Sequence, residues 1–130
     1  MSAARLSAWM QAHLEVKDAL WLHASSAFTV SAWFRTEKLH GWQALFWKGD
    51  QPDGHPYNNR EFAVQLHGGS VQLSSTPVSR LHRGHLYLDT PCGAVQVDRW
   101  PHVAAVLSSD YDGGAMRIYV DEETGSEPAL

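Results

Sequence analysis

The sequence predicts an all-β fold, an antiparallel β-sandwich. Three observations carry that expectation. About ten short segments alternate apolar and polar residues or run apolar on both faces. Clusters of Gly, Pro, Asn and Asp punctuate them at close intervals. No stretch sustains the 3.6-residue period of a long helix. At 130 residues the chain reads as one domain, 1–130, and its 44% apolar content is enough to build a core.

In chain order, Leu6, Trp9, Met10, His13 and Leu14 have the spacing of a short amphipathic helix. Residues 18–27 connect, with Leu20 and Leu22 available to plug one end of the core. Residues 28–35 read as a central strand: Phe28, Val30, Ala32 and Phe34 share one face, Trp33 and Arg35 the other. Residues 37–41 turn, and 42–48 form the next strand. Residues 49–59, GDQPDGHPYNN, cannot continue a strand and are the longest loop signal. Segments 60–66 and 71–75 form a hairpin across His67-Gly68-Gly69-Ser70. Residues 76–83, with Pro77, connect; 84–89 and 94–97 read as shorter strands around Pro91-Cys92-Gly93.

Residues 100–122 form the organising hairpin. In the first strand, Val103, Ala105 and Leu107 face one way and Ala104 and Val106 the other, which predicts burial on both sides. In the second, Met116, Ile118 and Val120 alternate with Arg117, Tyr119 and Asp121, one face core and one polar. Between them, Ser109-Asp110-Tyr111-Asp112-Gly113-Gly114 supplies residues that accept positive φ. Residues 123–130 read as a frayed acidic tail.

A net charge of −4 and a pI near 6.0 argue against a nucleic-acid partner, since no basic stripe is present to neutralise phosphates. No run is long enough to insert in a membrane. No signal peptide is visible: residues 1–18 have one Arg but no continuous apolar core. Cys92 is the single cysteine, which excludes an intrachain disulfide and a thiolate metal cluster. Eight histidines and six tryptophans stand out for this length. Histidine charge responds near neutral pH, and Trp serves cores, interfaces and sugar platforms alike.

Trp100-Pro101-His102-Val103-Ala104, followed after a turn by Met116-Arg117-Ile118-Tyr119-Val120-Asp121, resembles the W-x-H-V-A … M-R-L-Y-V-D-G signature of laminin-G-like domains of the concanavalin A-like lectin/glucanase superfamily. Phe28-Thr29-Val30-Ser31-Ala32-Trp33-Phe34, Ala44-Leu45-Phe46-Trp47-Lys48-Gly49-Asp50 and Arg60-Glu61-Phe62-Ala63-Val64-Gln65-Leu66 resemble further family segments in order and spacing. The resemblance implies a jelly-roll sandwich, an extracellular setting, and a glycan or a cell-surface or extracellular protein as partner. It places an edge strand near the N-terminus, so 12–16 is read as strand, with 4–10 open between helix and strand.

Two departures from the family pattern follow. Its acidic opening turn, which helps hold calcium, is replaced by Ser7-Ala8-Trp9-Met10-Gln11-Ala12-His13, without a carboxylate. Its strands after Y-V-D-G are lacking, so either the chain is a fragment or it is a compact variant with an open sheet edge that favours a homo-oligomer.

A sugar site needs an aromatic plate and directional polar groups. Trp42, Trp47, Tyr57 and Tyr87 are candidate plates, while Trp33 and Trp100 are assigned to the core. Arg35, Asn58, Asn59, Arg60, Gln65, His67 and Arg117 are candidate polar groups. The ligand-binding set is Trp42, Trp47, Tyr57, Asn58, Asn59, Arg60, Gln65 and His67, with 49–60 as one wall. Asp50 and Asp53 are candidate calcium ligands, although Asp is equally a good turn former. His82 and His85 could hold zinc only with ligands from elsewhere, and His102 reads as a hydrogen-bonded core residue. The E-x-D-x-x-E motif of related glucanases is absent, and Asp121-Glu122-Glu123 point to alternate faces. The reading is a non-catalytic carbohydrate-binding or adhesion module; the alternative is a laminin-G-type interaction module that oligomerises through the open edge. A glycoside hydrolase or lyase ranks below both.

Overall fold

The computed structural model describes residues 4–6, 13–19, 27–50, 59–76, 86–108 and 116–121. Among them are seven strands: β1 (Ala27–Trp33), β2 (Trp42–Asp50), β3 (Asn59–His67), β4 (Ser70–Ser75), β5 (Leu86–Asp89), β6 (His102–Ser108) and β7 (Met116–Asp121). They form two antiparallel sheets, β1-β6-β7 and β2-β3-β4-β5.

The sheets pack through the residues that alternate inward. Val64 and Leu66 of β3 and Val71 and Leu73 of β4 meet Val103 and Ala105 of β6 and Ile118 and Val120 of β7, all buried. Phe28 of β1 packs on Phe62 of β3, ring centroids 4.5 Å apart, which ties the sheets at one end. Branched residues dominate because they fill a pleated surface with little rotamer loss.

The β3–β4 hairpin turns through Gly68 and Gly69, both at positive φ. At Gly69 a Cβ would sit 3.3 Å from the Val95 carbonyl oxygen, and the Val95 N–H donates to Gly69 O at 3.0 Å. That close approach holds segment 91–101 against the hairpin and pushes Val95 into the core. Cys92, exposed on the same segment, directs its Sγ to Gly68 O at 3.4 Å.

Several expectations are corrected. Residues 94–97 form turns and bends rather than a strand, because the segment is tied to Gly69 and not to a sheet edge. Residues 13–16 are exposed and form no strand. Only one face of β6 is fully buried; Ala104 and Val106 lie half-buried on the outer face of the three-stranded sheet. Trp33 and Trp100 do not belong to the core: they are 51% and 45% exposed. Trp33 faces outward opposite His102, with ring centroids 5.1 Å apart, so His102 is a half-buried residue of the outer face. The segments 51–58, 77–85 and 109–115 and the tail 123–130 lie outside the described residues.

Candidate functional site

Two one-residue bulges decide which side chains share the outer face of the four-stranded sheet. On β2, Ala44 pairs with Gln65 and Phe46 with Val64, so Leu45 is an extra residue. Leu45 and Phe46 both pack against the core, as expected where two residues oppose one. On β3, Lys48 pairs with Phe62 and Gly49 with Arg60, so Glu61 is extra. The β4 side agrees: the ladder would set Thr76 opposite Glu61, yet the Thr76 N–H donates to Arg60 O at 2.7 Å and the Arg60 N–H donates to Thr76 Oγ1 at 3.1 Å.

Side chains alternate strictly, so one extra residue exchanges the faces of everything beyond it. In an unbroken ladder Trp47, five residues on, would point away from the face that Trp42 occupies; with Leu45 as the extra residue, both stand on the outer face. In an unbroken ladder Arg60, two residues from Phe62, would share its inward face. Instead it joins Ala63 and Gln65.

The outer face then reads as rows across the strands. One row is Trp42, His67 and Ser70; the next is Ala44, Gln65, Gln72 and Asp89; the third is Trp47, Ala63, Ser74 and Tyr87. A groove of about 540 Å³ runs over them, lined by Trp42, Arg60, Gln65, His67, Ser70, Gln72, Tyr87 and Asp89. Trp42 stacks on His67 with centroids 4.1 Å apart and planes 6° from parallel, which fixes the indole although it is 55% exposed. Tyr87, on the edge strand of the same sheet, is 62% exposed.

Arg60 braces the far end. Its guanidinium lies 4.8 Å from the Trp47 ring centroid, donates to Ser74 Oγ at 3.0 Å and to Gln65 Oε1 at 3.4 Å. Burial pulls its pKa below the ordinary arginine value, yet it stays charged at neutral pH. On the other side, Gln72 Nε2 donates to Asp89 Oδ1 at 3.0 Å. Behind the groove, Lys48 lies 2.8 Å from Glu61 and 3.4 Å from Asp18. Burial acts to lower the Lys48 pKa, but the hydrogen bonds and charges of Glu61 and Asp18 outweigh it and hold the ammonium above its usual range.

Of the sequence-derived ligand set, the structure brings together Trp42, Trp47, Arg60, Gln65 and His67. Tyr57, Asn58 and Asp53 lie outside the described residues, as do the side chains of Asn59 and Asp50; His82 and His85 are outside as well. Arg35 and Arg117 do not join the groove: Arg35 follows β1 and pairs with Asp98 at 2.7 Å, and Arg117 stands on β7 of the other sheet. Sequence reasoning missed Ser70, Gln72 and Asp89. The alternation Val71-Gln72-Leu73-Ser74, read in register across the Gly68-Gly69 turn, sets Gln72 opposite Gln65 and was the signal that could have found them. Among the described residues no group of three His, Cys, Asp or Glu is placed to hold a metal ion.

This architecture is that of a two-sheet, antiparallel, lectin-like scaffold with an aromatic-flanked polar face. The chain matches the Laminin_G_3 family, of the concanavalin A-like lectin/glucanases superfamily, over residues 8–128, and it belongs to that family. No curated protein and no solved structure matches it significantly. No helix among the described residues is long and apolar enough to cross a membrane.

Proposed function

We propose that the outer face of the β2-β3-β4-β5 sheet binds a glycan, and that the protein is a non-catalytic carbohydrate-binding module of the adhesion type on a jelly-roll sandwich. One observation carries this reading: two exposed aromatic rings, Trp42 and Tyr87, flank a floor of amide, hydroxyl and charged groups. Sugar rings present apolar C–H faces and hydroxyl edges, and such a floor with aromatic flanks matches both. The two rings stand three strands apart and four residues apart along β4, roughly 20 Å on the diagonal by strand spacing and rise. That span suits an oligosaccharide of several units rather than one sugar.

The charges of the described lining support binding over hydrolysis. Two facing carboxylates are needed to cleave a glycosidic bond, and Asp89 is the one carboxylate among the described lining residues. Family membership supports an extracellular role with a glycan or surface protein as partner. Tyr57, Asn58 and Asn59 join the proposed site from sequence alone, as the wall beyond Arg60. Calcium at Asp50 and Asp53 forms no part of this reading.

The experiment is affinity electrophoresis and glycan-array binding of the full chain, with and without calcium. Retention on a glycan, weakened by both Trp42→Ala and Tyr87→Ala, is expected. Absence of binding to any glycan would sink the reading and leave protein interaction as the alternative. In that case size-exclusion with light scattering should show a stable oligomer.

A further inference from the structure

We infer that the glycan taken by this groove is neutral and is held by two adjacent free hydroxyls on the Gln65–Gln72 pair. The inference rests on the glycan-binding reading above and narrows its ligand class.

The argument starts from two amides whose orientation is forced. Arginine has donors and no acceptor, so the atom of Gln65 that faces the Arg60 guanidinium at 3.4 Å must be its carbonyl oxygen. An ionised carboxylate only accepts, so the atom of Gln72 that faces Asp89 at 3.0 Å must be its NH2. The usual ambiguity of an amide flip is removed at both positions. Gln65 is left with its Nε2 donors, and Gln72 with its Oε1 acceptor. Neither atom has a hydrogen bond among the described residues, neither is sealed off from solvent, and both residues line the groove.

Gln65 and Gln72 are directly opposite each other on β3 and β4. Opposed residues hold their Cβ atoms about 5 Å apart. The floor therefore offers one donor beside one acceptor at a fixed spacing. Two neighbouring sugar hydroxyls complement that pair, since one accepts from Gln65 Nε2 and the next donates to Gln72 Oε1. A carboxylate or sulfate cannot serve, because an acceptor-only group leaves Gln72 Oε1 desolvated and unmet. The surrounding charges act in the same direction. Arg60 is half-buried and engaged with Trp47, Ser74 and Gln65, whereas Asp89 is exposed at the floor and repels an arriving anion.

The test uses dextran, mannan, galactan and xylan, each beside its sulfated and its periodate-oxidised form. Periodate cleaves the carbon–carbon bond between adjacent hydroxyls and so removes the proposed contact while keeping the polymer uncharged after borohydride reduction. Affinity electrophoresis of the full chain should show retention by at least one neutral polymer, and loss of it in both modified forms. Gln65→Glu replaces the donor by an acceptor and gains an ion pair with Arg60; it should weaken binding roughly three- to tenfold, with an unchanged unfolding midpoint. Gln72→Met should weaken it similarly and decides the matter if Gln65→Glu fails to fold. Retention only by sulfated polymers, falling steeply with salt, overturns this inference and leaves the glycan-binding reading intact. So does neutral binding that survives periodate or both substitutions. Retention by none of the polymers overturns both.

Discussion

At the scale of the residue, the stacked pair Trp42–His67 stands clear of the core. Trp42 is more than half exposed and leans on His67, so its removal leaves no core cavity. Trp42→Ala should cost roughly 1–3 kcal/mol of glycan affinity, the range for a truncated aromatic anchor, with little change in stability. Calorimetry on a confirmed ligand, paired with a denaturation curve, checks both halves. Lys48 gives a pH-dependent prediction. Its folded-state pKa is raised, so its pairing stabilises fully below the unfolded value near 10.5 and that stability is lost as pH climbs through the higher folded value. Glu61→Gln should lower the urea midpoint at about pH 8, and the gap from wild type should close as pH rises past 10.5 and through the higher folded value. A gap that widens with pH would contradict the assignment. Residue chemistry alone pointed to Trp42 as an aromatic plate and to Gln65 and His67 as polar groups. It misplaced Trp33 and Trp100, because a large indole suits a core and an exposed face equally and only the register shows which one it occupies.

At the scale of the element, the bulges at Leu45 and Glu61 are what assemble the groove. Neither was legible: Ala44-Leu45-Phe46 and Arg60-Glu61-Phe62 contain no Gly or Pro to mark an extra residue, and an unbroken period of two is the natural reading of both strands. Trp47 and Arg60 entered the sequence-derived site for their chemistry; their shared face depends on register. Deleting Leu45 should join Ala44 to Phe46 in a regular ladder, with Phe46 still inward and Trp47 still on the outer face. The expected result is a fall of roughly 2–4 kcal/mol in stability, from the lost Leu45 packing, with unchanged tryptophan emission. A blue-shifted emission, from Trp47 carried inward, would mean that Leu45 is not the extra residue. The β3–β4 hairpin, by contrast, was readable, because Gly68-Gly69 fixes its turn and hence the facing of Gln65 and Gln72.

At the scale of the whole molecule, the sandwich was legible because both of its signals are physical necessities: alternation where one face is dry, and turn residues where the chain reverses. The core joins both sheets through Leu66, Leu73 and Ile118, each at most 2% exposed. Ile118→Ala should therefore cost roughly 2–5 kcal/mol, whereas Trp33→Ala and Trp100→Ala, at half-exposed sites, should cost about 1–2. Chemical denaturation of the three variants orders them, and an order with Trp100→Ala first would restore it to the core. The thiol of Cys92 has a separate, practical consequence. It is unique in the chain, exposed, and anchored at the Gly68 turn one residue from His67. A maleimide dye attached there labels a single position beside the Trp42 end of the groove, on a segment that the Val95 tie to Gly69 keeps in place. Energy transfer from a bound, donor-tagged oligosaccharide to that dye then reports which way round the chain lies in the groove.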